Sequence, residues 1–135
     1  MSNPYEMFET DAGLEQDGQW IDYGDFEIKI AKAGGGNRRY VRIHQELMKP
    51  YERRAAVGAL DEETARPVLA KIYAKAVVLD WKGVTDRDGA PLPFSEQNVA
   101  SLLCDLPALF ADLINIASND QAWKAFAREE QAKNS

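Results

Sequence analysis

The residue types that most often carry chemistry in enzymes are scarce in this sequence. His44 is its single histidine and Cys104 its single cysteine, so neither has a second imidazole or thiol with which to form a nucleophile–base pair or a zinc site. Asp61, Glu62 and Glu63 are clustered, but the first turn of a helix attracts acidic residues through its dipole without any catalytic role. The sequence therefore predicts a protein that is not an enzyme, with no catalytic residue, no cofactor and no metal.

Two glycine-containing segments could instead hold a phosphate or a cation. The run "GGGN" at 34–37 lacks the Lys-Ser/Thr of a phosphate-binding loop and the spaced glycines of a dinucleotide site. The segment "TDRDGAPLPFSE" at 85–96 resembles half of a calcium loop, but that alignment puts Val84 and Ser95 where carboxylates are required. We interpret the first segment as a linker and the second as a turn.

The basic segment 38–54 is the strongest indication of a nucleic-acid partner. In "NRRYVRIHQ" the arginines stand beside an aromatic residue, so they could neutralise phosphates while the ring stacks on a base. An isoelectric point near 4.8 argues against this interpretation, as does the acidic N-terminal part of the chain. A small nucleic-acid-binding regulator that uses this helix is therefore the alternative to the function reached below.

Charge is distributed unevenly along the chain. Residues 1–30 carry eight acidic residues and one lysine, a sum of −7, whereas residues 31–56 carry seven basic and two acidic residues, a sum of +5. Opposite charge on neighbouring segments predicts a charged interface, within one molecule or between copies of a homo-oligomer. We assign that interface to the following residues: Arg39, Arg42, Arg53, Asp22 and Glu27.

The first structural element predicted along the chain is a β-hairpin. Residues 1–19 are acidic and weakly periodic, which indicates a flexible arm, and residues 20–135 are predicted to form a single mostly helical domain. In "WIDYGDFEIKI" a two-residue turn at Gly24-Asp25 would pair Ile21 with Ile28 and give the hairpin one apolar face. Asp22 and Glu27 would then lie opposite each other, a repulsive pair that needs a cation close by.

Apolar residues recur at helical spacing through the rest of the chain. The predicted fold class is α+β, mostly α-helical, with the N-terminal β-hairpin packed on about five helices. The expected helix limits rest on caps and breakers. The first predicted helix follows Asn37, restarts at Pro50 and stops at Gly58. The second is a core helix that begins near Arg66 and whose end is marked by Trp81 and Gly83. Three further helices are predicted to begin at Ser95, Pro107 and Ser118.

Three segments in this order resemble the tail assembly chaperones of long-tailed bacteriophages. They are "GGGNRRYVRIHQELMKPYERR", "AVVLDWKGVTDRDGAPLPFS" and "EQNVASLLCDLPALFADLINIASN". The resemblance covers residues 20–125, and its most specific part is Leu-Asp-Trp-Lys-Gly-Val followed by the Pro-Phe-Ser helix start.

The resemblance implies a non-enzymatic morphogenesis factor that acts in the cytoplasm of the infected host. Such chaperones bind the tape measure protein, keep its helical segments soluble, help to recruit the tail tube protein and are absent from the mature virion. No membrane association is expected, because no apolar run in the sequence reaches the roughly 18 residues that a spanning helix needs.

A client-binding surface is expected around the proline-containing turn. Two prolines stiffen "APLPF" and so lower the entropy cost of presenting the apolar side chains between and after them. A rigid segment of this kind can form the wall of a groove that accepts a helix. The predicted surface comprises Trp81, Leu92, Phe94, Leu109 and Phe110.

Overall fold

A three-stranded antiparallel sheet and the helices around it make up residues 3–134, the part of the chain that this computed structural model describes. The strands, in the order β1-β2-β3, are β1 Gln19–Asp22, β2 Glu27–Ile30 and β3 Val78–Lys82. The helices are α1 Pro4–Phe8, α2 Ala12–Asp17, α3 Arg38–Met48, α4 Glu52–Ala56, α5 Glu62–Ala76, α6 Glu96–Asp105, α7 Pro107–Ala117 and α8 Asp120–Lys133, with a 3-10 turn at Lys49–Tyr51. The predicted mostly helical α+β class is confirmed.

The N-terminal hairpin has the predicted register. Ile21 pairs with Ile28, and Asp22 pairs with Glu27. Gly24 adopts a φ of 92°, a conformation that suits glycine at the tight turn. The Tyr23 hydroxyl donates to the carboxylate of Asp112 on α7, which attaches the hairpin to the helices. Burial, followed by the neighbouring Asp112 carboxylate, raises the pKa of Tyr23 above its ordinary value.

The core lies between the inner face of the sheet and the long helices. Ile28 and Ile30 of the central strand are fully buried, and so are Ile72 of α5 and Leu113 of α7. Trp123 of α8 closes the core, and its indole Nε1 donates to the carbonyls of residues 116 and 117 at 3.1 and 3.2 Å. Since a buried indole nitrogen needs an acceptor, these bonds fix α8 against the end of α7.

The sequence wrongly placed the stretch from Val78 to Trp81 at the end of the core helix. Helix α5 ends at Ala76, and the next residues form β3. Strand β3 pairs with β2, so that Trp81 lies opposite Ile28 and Val78 opposite Ile30. A short apolar run fits a buried strand as well as a helix, and only the distant partner strand decides between them.

Helix α5 also begins earlier than predicted. Asp61 caps it, with Oδ1 accepting from the Thr64 amide at 2.7 Å, and Pro67 lies inside the helix. Pro67 removes the amide donor that would reach the carbonyl of Glu63. Both residues are exposed, so water can satisfy that carbonyl and the helix continues through the proline.

The other helix limits follow mostly from local signals. Asn37 caps α3, Ser95 caps α6, and Pro107 opens α7, as predicted. Pro50 produces the 3-10 turn between α3 and α4. The cap of α8 was predicted one residue too early, because the Asn119 side chain accepts the Ala122 amide while the Ser118 hydroxyl donates to the carbonyl of Ile114.

The N-terminal segment, expected as a flexible arm, contains α1 and α2. No residue of α1 is buried, whereas α2 is held by Glu15, which is 3% exposed. Residues 1 and 2 of the predicted arm, and residue 135 of the predicted domain, lie outside the described residues. No single described helix is long and apolar enough to cross a membrane, and the pair α6 and α7, which reaches that length together, is bent by 111°.

Candidate partner-binding surface

The turn between β3 and α6 is closed by its own aspartate. Asp86 Oδ1 accepts from the amides of Asp88 and Ala90 at 2.9 and 3.0 Å. The Leu92 amide donates to the Val84 carbonyl at 2.9 Å, and Thr85 forms a β-bridge with Pro91. The Asp86 carboxylate thus binds backbone donors of its own turn. The interpretation of this segment as a turn is confirmed.

Trp81 of β3 connects the turn between β3 and α6 to the sheet. Its indole Nε1 donates to the Leu92 carbonyl at 2.9 Å, and its ring meets the ring of Phe94 edge to face at 5.4 Å between centroids. Trp81 is 8% exposed, whereas Phe94 is 38% exposed. The tryptophan is therefore a support inside the fold, and Phe94 presents part of its ring to solvent.

A groove of about 500 Å³ lies between this turn and α6. We call it the turn–α6 groove. Its apolar residues are Leu92, Leu102 and Leu106, and Leu106 is 43% exposed. Its polar lining consists of Thr85, Asp86, Arg87, Asp88, Asn98, Ser101 and Asp105. A groove lined by three leucines, three carboxylates and one guanidinium can accept an apolar side-chain stripe that is flanked by cations.

A second cavity of about 540 Å³ lies on the other side of α6, against α5. It shares Ser101 and Asp105 with the turn–α6 groove. An ion pair between Lys75 Nζ and Glu96 Oε2 at 3.2 Å joins the two helices at its edge. Cys104 is half-buried, packs against the core and lines this cavity.

The predicted client-binding residues divide into two groups. The structure brings Trp81, Leu92 and Phe94 together at the turn, while Leu109 and Phe110 lie on α7. Phe110 is 4% exposed and packs edge to face on Tyr73 at 5.3 Å. Phe110 and Trp81 therefore belong to the core, since aromatic rings at the centre of a small domain are mostly needed for packing.

Two groove residues were missed by reasoning from the sequence. Leu102 and Leu106 are four residues apart, the spacing that places side chains on one side of a helix. The sequence shows this spacing, but Leu103 stands beside Leu102 and is the residue that is buried. Which of two adjacent leucines faces the core depends on the rotation of α6, which tertiary packing sets.

Among the described residues, the predicted charged interface forms no ion pair within one molecule. In the ladder, Glu27 lies opposite Lys82 of β3. The Lys82 ammonium lies 4.3 Å from the centre of the Trp20 ring, and it forms no ion pair with Glu27. Arg39 Nε donates to the Lys75 carbonyl at 2.8 Å, at the C-terminal end of α5. The ion pairs of the described residues are Glu15–Lys32, Asp120–Lys32 and Lys75–Glu96. None of them includes Arg39, Arg42 or Arg53.

An ionic cluster centred on the buried residues Lys32 and Glu15 joins α2, the segment after β2 and α8. Lys32 Nζ lies 3.3 Å from Glu15 Oε2 and 2.7 Å from Asp120 Oδ1, and Glu15 Oε1 accepts from the Gly36 amide at 2.7 Å. Burial lowers the pKa of Lys32, but the two carboxylates outweigh it and raise that pKa overall. The bond to Lys32 lowers the pKa of Asp120. The cluster connects three segments of the fold. Among the described residues, no group of three or more potential ligands is placed to hold a metal ion.

Comparison with known proteins shows a match to a protein family. The family model described as "YdaY prophage protein" matches residues 35–134, which is more than half of the chain. No curated protein and no solved structure matches the chain.

Proposed function

This chain belongs to the YdaY prophage protein family and is thus phage-derived, and from that premise we propose that it is a tail assembly chaperone. In this role it binds the tape measure protein without catalysis and keeps the helical segments of that protein soluble while the tail is assembled. Family membership and the resemblance in the three segments between residues 34 and 119 together support this proposal.

The turn–α6 groove is the observation that carries this proposal. A chaperone for helical segments needs a concave apolar surface that can take one face of an amphipathic helix. The leucines of the groove supply that surface, and Leu106 exposes 43% of its area. Single exposed leucines are common on protein surfaces, but an exposed leucine at the edge of a groove of about 500 Å³ can make contact with a partner.

The rim of the groove favours a particular kind of client helix. Asp86, Asp88 and Asp105 lie around the leucines with Arg87 as the one basic residue. A client helix with lysine or arginine beside its apolar stripe would be attracted to this rim, and an acidic helix would be repelled. The turn is held by backbone and indole hydrogen bonds, so little ordering is required when the client binds.

Co-expression with the tape measure protein of the same prophage tests the proposal. Wild-type chaperone should keep that protein in the soluble fraction, and L106S or F94S should lower the soluble yield severalfold. V57S is the matched control, because Val57 is 78% exposed, follows the last residue of α4 and does not line the groove. V57S and L106S should unfold within about 0.5 kcal/mol of wild type, as surface substitutions usually do. F94S also loses the edge-to-face contact with Trp81 and should cost about 0.5–1.5 kcal/mol, which leaves it folded.

Two results would contradict the groove assignment. A tape measure protein that is equally insoluble with and without the wild-type chain rules out the chaperone function itself. If the wild-type chain keeps the tape measure protein soluble, but V57S lowers the soluble yield more than L106S and F94S do, the client-binding surface is on another face.

The fate of the protein separates a chaperone from a structural tail component. We expect it in the cytoplasm of the host and not in the mature virion, with the tail tube protein as a second partner. Mass spectrometry of purified virions, with the tube protein as the internal reference, measures this directly. Stoichiometric amounts of the chain in virions would make it a tail component.

A further inference from the structure

The surface formed by α3 and α4 is incompletely covered within the chain. No residue of either helix is buried. The inward apolar side chains of α3, Tyr40, Ile43 and Leu47, are only half-buried. On the outer side Val41 is 45% exposed, and Val57 after α4 is 78% exposed. These helices thus present apolar area that the rest of the described chain does not cover.

The same surface is rich in cations. We call it the basic face and define it by Arg38, Val41, Arg42, Lys49, Arg53, Arg54 and Val57, all of which are exposed. No ion pair among the described residues includes any of these bases. Arg54 lies over the ring of Tyr51 at 5.2 Å, which keeps one guanidinium close to the helix surface.

The N-terminal end of the structure carries carboxylates and exposed apolar side chains, which complement the cations and valines of the basic face. We call residues 3–11 the acidic segment. Tyr5, Met7 and Phe8 are 76%, 52% and 69% exposed, an unusual density of exposed large apolar side chains for one short helix. Glu6, Glu9 and Asp11 line a cleft of about 660 Å³ between α1 and α8, where these three carboxylates outnumber the two basic residues of α8 in the lining, Lys124 and Arg128.

The acidic segment is held in place by α8. Lys124 Nζ donates to the Met7 carbonyl at 2.6 Å and lies 5.1 Å from the centre of the Phe8 ring. This anchoring presents Tyr5 and the carboxylates of the cleft in a fixed arrangement, which lowers the entropy cost of docking.

We propose that the acidic segment of one copy docks on the basic face of a second copy, so that the protein self-associates head to tail. The carboxylates of the cleft receive arginines of α3 and α4, while Tyr5 and Met7 cover the valines and half-buried apolar residues beside them. Charge complementarity orients the two copies, and apolar burial adds affinity. Because the two surfaces differ, the contact is heterologous, and it builds closed rings or open chains of subunits.

The test measures mass in solution by size-exclusion chromatography with light scattering, using the full chain. Wild type should form assemblies at about 50 mM salt, and these should dissociate at about 500 mM salt, where the Debye length is short. Two variants remove one surface each: R42Q/R53Q on the basic face and Y5S/E6Q/E9Q on the acidic segment. Each variant alone should associate at least about tenfold more weakly than wild type.

A mixture of the two variants gives the decisive result. The first keeps its acidic segment and the second keeps its basic face, so one contact forms between them. The mixture should therefore contain a 1:1 complex that does not grow further. K71Q is the control, because Lys71 is exposed on α5, outside the basic face, and its loss changes net charge without touching either surface.

Several outcomes would overturn the proposal. They are a wild type that is monomeric in low salt, assemblies that neither variant affects, and a variant mixture that stays monomeric. If wild type is monomeric but binds duplex DNA saturably, and R42Q/R53Q abolishes this binding, the basic face is a nucleic-acid site instead.

Discussion

Lys32 shows how a single residue can join three parts of the chain. Its side chain is 8% exposed and is paired with Glu15 of α2 and Asp120 of α8. The Asn37 side chain donates to the Lys32 carbonyl and to the Ala76 carbonyl at 2.8 Å each, so the surrounding backbone is also fixed. Removing only Lys32 or only Glu15 should lower the free energy of unfolding, because the remaining charge would stay buried without its partner.

Substitution of Lys32 by methionine should therefore destabilise the protein strongly. K32M leaves the Glu15 carboxylate buried without its cation, and we expect a loss of about 3–5 kcal/mol in the free energy of unfolding. The double variant E15Q/K32M removes both charges and should recover a large part of that loss. Urea denaturation followed by circular dichroism measures both values.

An exposed lysine provides the control for this pair. K71M changes the same residue type at an exposed position of α5 and should stay within about 0.5 kcal/mol of wild type. If K32M is as stable as K71M, or if the double variant is less stable than K32M, the cluster does not hold the three segments together.

The Asp120 carboxylate should make stability depend on pH on the acid side. Lys32 holds the pKa of Asp120 below its ordinary value of 3.8 in the folded state. The pair therefore stabilises the fold fully above pH 3.8, and this contribution is lost as the pH falls through the folded pKa. Thermal melts of wild type and D120N should differ by less than about 1 kcal/mol at neutral pH, since Asp120 is largely exposed. That difference should vanish well below pH 3.8, and a difference that grows in acid would refute the assignment.

At the scale of elements, helix starts are decided by side chains that reach back to the first amides. Asn119 performs this role for α8, with its Oδ1 3.0 Å from the Ala122 amide. The neighbouring Ser118 donates instead to the Ile114 carbonyl at 2.6 Å and so belongs to the end of α7. Both residues are good caps by type, and the direction of the chain after α7 selects between them.

The two neighbours should respond differently to alanine. N119A removes the cap of α8 and should cost about 1 kcal/mol, whereas S118A should cost about half of that or less, because the amides of α8 keep their acceptor. Chemical denaturation of both variants under one set of conditions provides the comparison. Equal losses, or a larger loss for S118A, would show that Ser118 is the cap in solution.

At the scale of the whole molecule, the residues matched by the family model do not coincide with the residues that form the folded domain. The match begins at residue 35, but the central strand of the sheet, β2, precedes it. Ile28 and Ile30 of β2 are fully buried and lie opposite Trp81 and Val78 of β3. The family-matched part alone therefore contains a strand whose partner lies outside it.

Two deletions should separate the roles of the N-terminal elements. Removal of residues 1–34 takes away β2 and exposes one edge of β3 with its apolar neighbours, so we expect an insoluble protein or one without a cooperative unfolding transition. Removal of residues 1–9 takes away only α1, which has no buried residue, and should change stability by less than about 1 kcal/mol. Soluble expression and a thermal melt of each fragment decide this, and a stable fragment lacking residues 1–34 would contradict the role given to β2.

The sequence alone determined the features that depend on neighbouring residues. The hairpin register follows from a two-residue turn at Gly24-Asp25 and from side chains that alternate between two faces, both of which are local. The caps at Asn37 and Ser95, the 3-10 turn at Pro50 and the Asp86 turn also depend on bonds that span only a few residues. The scarcity of histidine and cysteine led to the expectation of a binding protein from composition alone.

Tertiary structure decided everything that depends on a partner far along the chain. Residues 78–82 became a strand because β2 was available to pair with them, which placed Trp81 opposite Ile28 in the core. Phe110 entered the core because it packs there on the ring of Tyr73. The rotation of α6 buried Leu103 and left Leu102 and Leu106 at the groove. Local periodicity shows that such residues are apolar, but the choice of which apolar side chain is covered is made by the packing of the complete domain.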